Sequence, residues 1–142
     1  MNDQIVLDSA ALLAAASEQT GGLTDLGSES IHDRLEILLE MIEGARLTPD
    51  GRRIARETVI KVLVKRLSFQ QDRHLNPGID QERIESPLIV TGIARSGTTF
   101  FYSLIAQDPG SRSPRHWEIS HPSPPPGLAT PNDPRILESN RD

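Results

Sequence analysis

Apolar residues recur at helical spacing through the first half of the chain. Residues 10 to 16 are all Ala or Leu, strong helix formers, and Asp8 or Ser9 before them can cap a helix. Gly21-Gly22 ends that run, and Gly27 and Ser28 mark a turn. Ser30 with Asp33 three residues on resembles a capping box. Behind it Ile31, Leu35, Leu38, Leu39 and Ile42 fall on one helical stripe. Gly44 is a stop, and Thr48-Pro49 restarts the chain as a cap followed by a first-turn proline. From about 49 to 69, Ala55, Val59, Leu63 and Leu67 define a helical face, whereas Val59, Ile60, Val62 and Val64 are β-branched and suit a strand. The pattern outlasts an ordinary strand, which favours helix. Asn76-Pro77-Gly78 breaks it.

After Glu85 the character changes. Pro87-Leu88-Ile89-Val90-Thr91 is a short apolar run entered by a proline, the pattern of a buried strand. Small residues fill 92 to 97, and 98 to 107 reads as a helix with Phe100, Phe101, Leu104 and Ile105 apolar. Asp108-Pro109-Gly110 closes it. The proline-dense stretch from 121 to 127 is neither helix nor sheet, and Asn132-Asp133-Pro134 starts another helix. One strand makes no sheet. Either the chain is mainly helical, or the rest of the sheet lies outside it. The late strand–loop–helix favours the second. The expected fold class is therefore α/β: a helical N-terminal region over 1–85, then over 86–142 the first strand–phosphate loop–helix of a P-loop-like parallel sheet, incomplete in this chain.

Composition narrows the chemistry. The 142 residues suffice for one domain, and the net charge of −5 gives no general reason to bind nucleic acid or an anionic membrane. An anion site must therefore be local. The absence of cysteine excludes disulfides, thiolate metal sites and a cysteine nucleophile, and fits a reducing cytoplasm. No apolar run approaches the roughly 18 residues that span a bilayer. Residues 9 to 17 have the look of a short signal core, but Asp3 and Asp8 precede them with no Lys or Arg, so the expected location is cytoplasmic.

The motif with chemical content is Gly92-Ile93-Ala94-Arg95-Ser96-Gly97-Thr98-Thr99. Two glycines with four residues between them, before a helix opened by hydroxyl residues, form the frame of a phosphate loop. Successive N–H groups of such a loop make an anion nest, and the helix N-terminus adds donors and the positive end of a dipole. Ser96, Thr98 and Thr99 bring hydroxyls, and Arg95 brings a permanent cation with fork geometry. The lysine that follows the second glycine in nucleotide triphosphatases is Thr98 here, which argues against an ATPase or kinase.

Arg95-Ser96-Gly97-Thr98-Thr99 resembles the [KR]-[ST]-G-T-[TS] loop of the sulfotransferase family, which grips the 5′-phosphosulfate of 3′-phosphoadenosine 5′-phosphosulfate (PAPS). The proline usual before the basic residue is Ala94 here. Ala106-Gln107-Asp108-Pro109, Trp117-Glu118 and the proline-rich run after His121 are similar to a bacterial group of that family with a helical N-terminal region. Arg46-Leu47-Thr48-Pro49 and Arg66-Leu67 resemble it more weakly, and the likeness is specific from about 87 to 126. The resemblance implies a PAPS-dependent enzyme, with Arg95, Ser96, Gly97, Thr98 and Thr99 binding the cofactor and no metal required.

It also implies a general base. Some members use a glutamate soon after the first helix, and Glu118 is similarly placed, so it is the expected base, with Arg95 stabilising charge on the transferring group. His116 and His121 are rivals, since histidine is a competent base near neutral pH. His32 and His74 have no evident partner and take no role. Arg112 and Arg115 either steer an anionic cofactor or simply face solvent. The proline-rich run is a spacer or, by composition, an SH3-type ligand. The expected function is transfer of a sulfuryl group from PAPS to an acceptor hydroxyl on a small molecule, glycan or lipid, by the N-terminal part of an enzyme. The alternatives are a non-catalytic truncated chain with a vestigial loop and, more weakly, a nucleotide kinase. Oligomeric state is not legible in the pattern.

Overall fold

The structure, a computed structural model, describes residues 7–128 and 132–139. Six α-helices follow one another among these residues: α1 (Ser9–Gln19), α2 (Ser30–Gly44), α3 (Pro49–Leu75), α4 (Thr98–Ile105), α5 (His116–Ser120) and α6 (Pro134–Ser139). Short 3-10 turns occupy Pro77–Gln81 and Pro126–Leu128.

Local chemistry sets the ends of the helices. Asp8 caps α1 by accepting from the Ala11 N–H at 2.9 Å. Thr48 caps α3 by accepting from the Gly51 N–H at 3.1 Å, with Pro49 preset for the first turn. The capping box expected at Ser30 does not form: Ser30 lies inside α2, and its N-cap Glu29 makes no side-chain cap bond. Ser28 and Ser30 instead share a hydroxyl–hydroxyl bond of 3.0 Å.

α3 is the spine. Its 27 residues span roughly 40 Å at 1.5 Å per residue. The strand-like β-branched residues within it are overridden because Val59, Ile60, Leu63 and Leu67 bury one helical face in a core shared with α1 and α2, α1 being the helix packed most closely on α3. Leu7, Leu12 and Ala16 at and within α1, Leu26 of the connection, and Leu35 and Leu39 of α2 join them in that core. Arg66 donates to the Leu26 carbonyl at 2.8 Å, and His74 pairs with Asp25 at 3.2 Å, so the 23–28 connection is tied down along α3. His74, left without a partner in the sequence reading, therefore has one. At the other end Arg52 forks onto both Glu43 oxygens and closes the α2–α3 turn. The hydrogen bond from Arg52 holds the Glu43 carboxyl below its ordinary value.

Beyond Gln81 the chain makes few such contacts. α5 and α6 pack on each other around Trp117 and Arg135. Arg135 lies 5.1 Å from the indole centroid, pairs with Asp133 at 2.7 Å, and donates to the carbonyls of His121 and Pro124. The buried carboxylate of Asp72, on the last turns of α3, adds to the field that keeps Arg135 charged.

The expected α/β class is incorrect. No residue is in a strand among those described, and the architecture is all-helical. The segment expected as a strand, 87 to 91, carries no regular structure, with Leu88 and Ile89 at 73% and 78% exposure. A strand needs a neighbour for its N–H and C=O groups. The first half of the chain, spent on helices, offers no edge to pair with.

Candidate phosphate loop

The loop has a defined backbone even without a sheet behind it. The Ser96 N–H donates to the Ile93 carbonyl at 3.1 Å, closing a turn over 93–96. Arg95, third in that turn, is left-handed at φ 65°, a region that costs a side chain on the order of 1 kcal/mol. Gly97, also left-handed at φ 82° and ψ 15°, is the N-cap of α4. This places Arg95 and Gly97 on either side of Ser96 with positive φ, so the backbone doubles back onto itself. Gly92 is held so close that a Cβ there would stand 2.6 Å from Ser96 Oγ and 3.0 Å from Thr98 Cγ2. A side chain at 92 would make Ser96 Oγ turn away from this position.

The electrostatic result is a donor-rich concavity. Because Gly97 has no side chain, no cap bond covers the start of α4. Among the described residues the N–H groups of Gly97, Thr98, Thr99 and Phe100 have no hydrogen-bond acceptor. Four adjacent unpaired N–H groups at the positive end of a helix form an anion nest. Arg95 is exposed and has no ion-pair partner among the described residues. Two clefts flank the nest. One, of about 300 Å³, is lined by residues 88–91, 96–98 and Phe101. The other, of about 250 Å³, is lined by Val90, Thr98, Thr99 and Tyr102.

The loop residues are thus together, but Glu118 is not joined to them by any hydrogen bond among the described residues. It sits in the first turn of α5, its side chain 12% exposed, with both oxygens engaged. Oε1 accepts from Arg112 at 2.9 Å, and Oε2 accepts from the Arg115 backbone N–H at 2.7 Å. The carboxylate therefore caps its own helix. Arg112, expected to steer or face solvent, is the partner of Glu118. His116 shares a 2.8 Å bond with Ser139 Oγ, and His121 Nε2 is buried without a partner among the described residues. The link between loop and α5 that sequence reasoning missed is Tyr102, whose hydroxyl donates to the Pro114 carbonyl at 2.8 Å. A tyrosine on an apolar helix carries no signal for such a tether.

Comparison with protein families, with curated proteins and with solved structures returns no match. Among the described residues no helix is long and apolar enough to cross a membrane.

Proposed function

We propose that the 92–99 loop binds the 5′-phosphosulfate end of PAPS and that the chain serves sulfuryl transfer to an acceptor hydroxyl, in the cytoplasm. The observation that carries this reading is the run of four N–H groups from Gly97 to Phe100 that have no acceptor among the described residues, in the same loop as Arg95, which has no ion-pair partner among them. That donor set suits a dense anion, and Thr98 occupies the position where a nucleotide triphosphatase has its lysine.

In the reaction the acceptor oxygen attacks sulfur in line. The bond from sulfur to the 5′-phosphate oxygen breaks, and its electrons leave with 3′-phosphoadenosine 5′-phosphate. Arg95, the nest and the Thr98 and Thr99 hydroxyls stabilise negative charge on the transferring and leaving groups. Glu118 takes the acceptor proton once Arg112 gives up Oε1.

A second reading rests on a separate observation. Both Glu118 oxygens are committed within α5 and its approach, which favours a chain that holds the anion without catalysing transfer.

Calorimetry with 3′-phosphoadenosine 5′-phosphate tests the loop. We expect the bisphosphate to bind in preference to ATP, and Arg95→Ala to weaken it about 10- to 100-fold, the value of a charge-assisted contact. Binding left unchanged by Arg95→Ala, or none at millimolar ligand, overturns the proposal. Binding without transfer to any hydroxyl acceptor selects the second reading.

A further inference from the structure

A single peptide group joins the phosphate loop to the carboxylate of Glu118. On α4, Tyr102 follows Thr98 and Thr99 by four and three residues, on the same side of the helix. Its ring shares with them the cleft of about 250 Å³ beside the nest. Its hydroxyl donates to the Pro114 carbonyl at 2.8 Å. The N–H of that same peptide unit belongs to Arg115, and it donates to Glu118 Oε2 at 2.7 Å. The 114–115 peptide is trans, so its carbonyl and its N–H point to opposite sides. Tyr102 and Glu118 therefore hold the two ends of one amide.

The position of this amide makes it a connector. Arg115 is the N-cap of α5 and Glu118 its third helical residue, so the carboxylate closes the start of the helix on the amide. The ring of Pro114 fixes its φ, which leaves the peptide plane beyond it little freedom to turn. A hydroxyl that donates to a carbonyl draws electron density from the amide and makes its N–H a better donor. Hydrogen bonds linked in this way strengthen one another by roughly 10–30% each. Among the described residues no other hydrogen bond or ion pair runs from α4 to the 112–118 segment. The other oxygen of Glu118 is held by Arg112, an exposed side chain. The bond at Oε2 is thus the one that ties the carboxylate to the loop.

We infer that Tyr102 is a positioning residue: through the 114–115 peptide it holds the Glu118 carboxylate in register with the loop and relays to it the filling of the nest. An anion seated against Thr98 and Thr99 displaces the ring beside them. The hydroxyl bond to Pro114 then changes, and with it the grip of the Arg115 N–H on Oε2. This ligand response rests on the anion binding proposed above; the relay from Tyr102 to Glu118 stands without it.

Proton–nitrogen NMR of the full chain tests this at the Arg115 amide resonance. Glu118→Gln weakens the acceptor directly and should move the amide proton upfield. Tyr102 does not touch that N–H, yet Tyr102→Phe is expected to move it in the same direction. In the Glu118→Gln background the added Tyr102→Phe should move it less, since the two bonds act as a unit. The Ile119 and His121 amides, bonded within α5 and its end, should keep their positions in Tyr102→Phe. With 3′-phosphoadenosine 5′-phosphate added, the Arg115 resonance should shift in the wild type and stay in place in Tyr102→Phe, which still binds through the nest. An Arg115 resonance indifferent to Tyr102→Phe overturns the inference, as does a bisphosphate shift that survives the substitution. Loss of every resonance from 112 to 121 in Tyr102→Phe would also overturn it, because Tyr102 would then be an ordinary strut. No binding to either protein overturns the proposed function instead, while the variants without ligand still decide the relay.

Discussion

Leu67→Ala is expected to lower the unfolding free energy by about 2–5 kcal/mol, measured by urea denaturation. Leu67 is 2% exposed and belongs to the core that α3 shares with α1 and α2. Truncation removes the transfer energy of the lost carbons and leaves a cavity, because the other core side chains are spread over α1, α2, α3 and the segments before and after α1 and cannot all close in at once. For a chain whose total stability lies in the usual range of about 5–15 kcal/mol, that loss leaves a large unfolded fraction. Ile84→Ala is the control. Ile84 is 84% exposed, so its truncation should change stability by less than about 0.5 kcal/mol. Equal effects of the two would mean that the core assigned to α3 is wrong.

Arg135→Ala should produce the second large effect, concentrated in the C-terminal cluster. One guanidinium, 8% exposed, ties Asp133, the His121 and Pro124 carbonyls and the Trp117 ring together. Its removal leaves the Asp133 carboxylate without its ion-pair partner and the His121 and Pro124 carbonyls without their donor. Hydrogen exchange should show α5 and α6 losing protection while α1 to α3 keep theirs. Exchange unchanged in α5 and α6 would refute the clamp. The same pair predicts an acid response. The hydrogen bond from Arg135, against an opposing effect of desolvation, lowers the Asp133 pKa from 3.8 to about 2. A carboxyl depressed in the folded state contributes stability above its unfolded pKa and loses it as pH falls. The contribution of this pair is therefore complete above about pH 4 and fades between 3.8 and 2. Thermal melts of wild type and Asp133→Asn should converge over that window. Melts that stay parallel through it would remove Asp133 from the clamp.

The helical half of the molecule was legible because its signals are local. The stripe on α2, the face of α3, the Asp8 and Thr48 caps and the break at Asn76 each depend on residues a few positions apart. Leu38 shows the limit of that signal. It belongs to the α2 stripe yet is 43% exposed, because it lines the open groove between α2 and α3, and periodicity carries no information about the separation of two helices. The residues from 87 to 91 fail for a related reason. Their apolar, β-branched pattern reports a preference for a paired strand, and pairing is settled by chain elsewhere. In the loop, the role of Gly97 followed from its neighbours, whereas the left-handed Arg95 did not, since arginine has no preference for that region. Glu118 was located by position alone. Its bond from the Arg115 N–H is a local cap at the third helical position, whereas its bond from Arg112 arises from the path that returns Arg112 to α5, which no spacing rule describes.

Trp117 is the single tryptophan of the chain, and it is buried beneath the Arg135 guanidinium in the C-terminal cluster. Intrinsic fluorescence is therefore a local reporter, blind to the core around α3, while circular dichroism is dominated by the long helices and nearly blind to α5. The two optical probes follow different parts of one chain. When their transitions separate, the two parts unfold as distinct cooperative units; when they coincide, the two parts unfold as one.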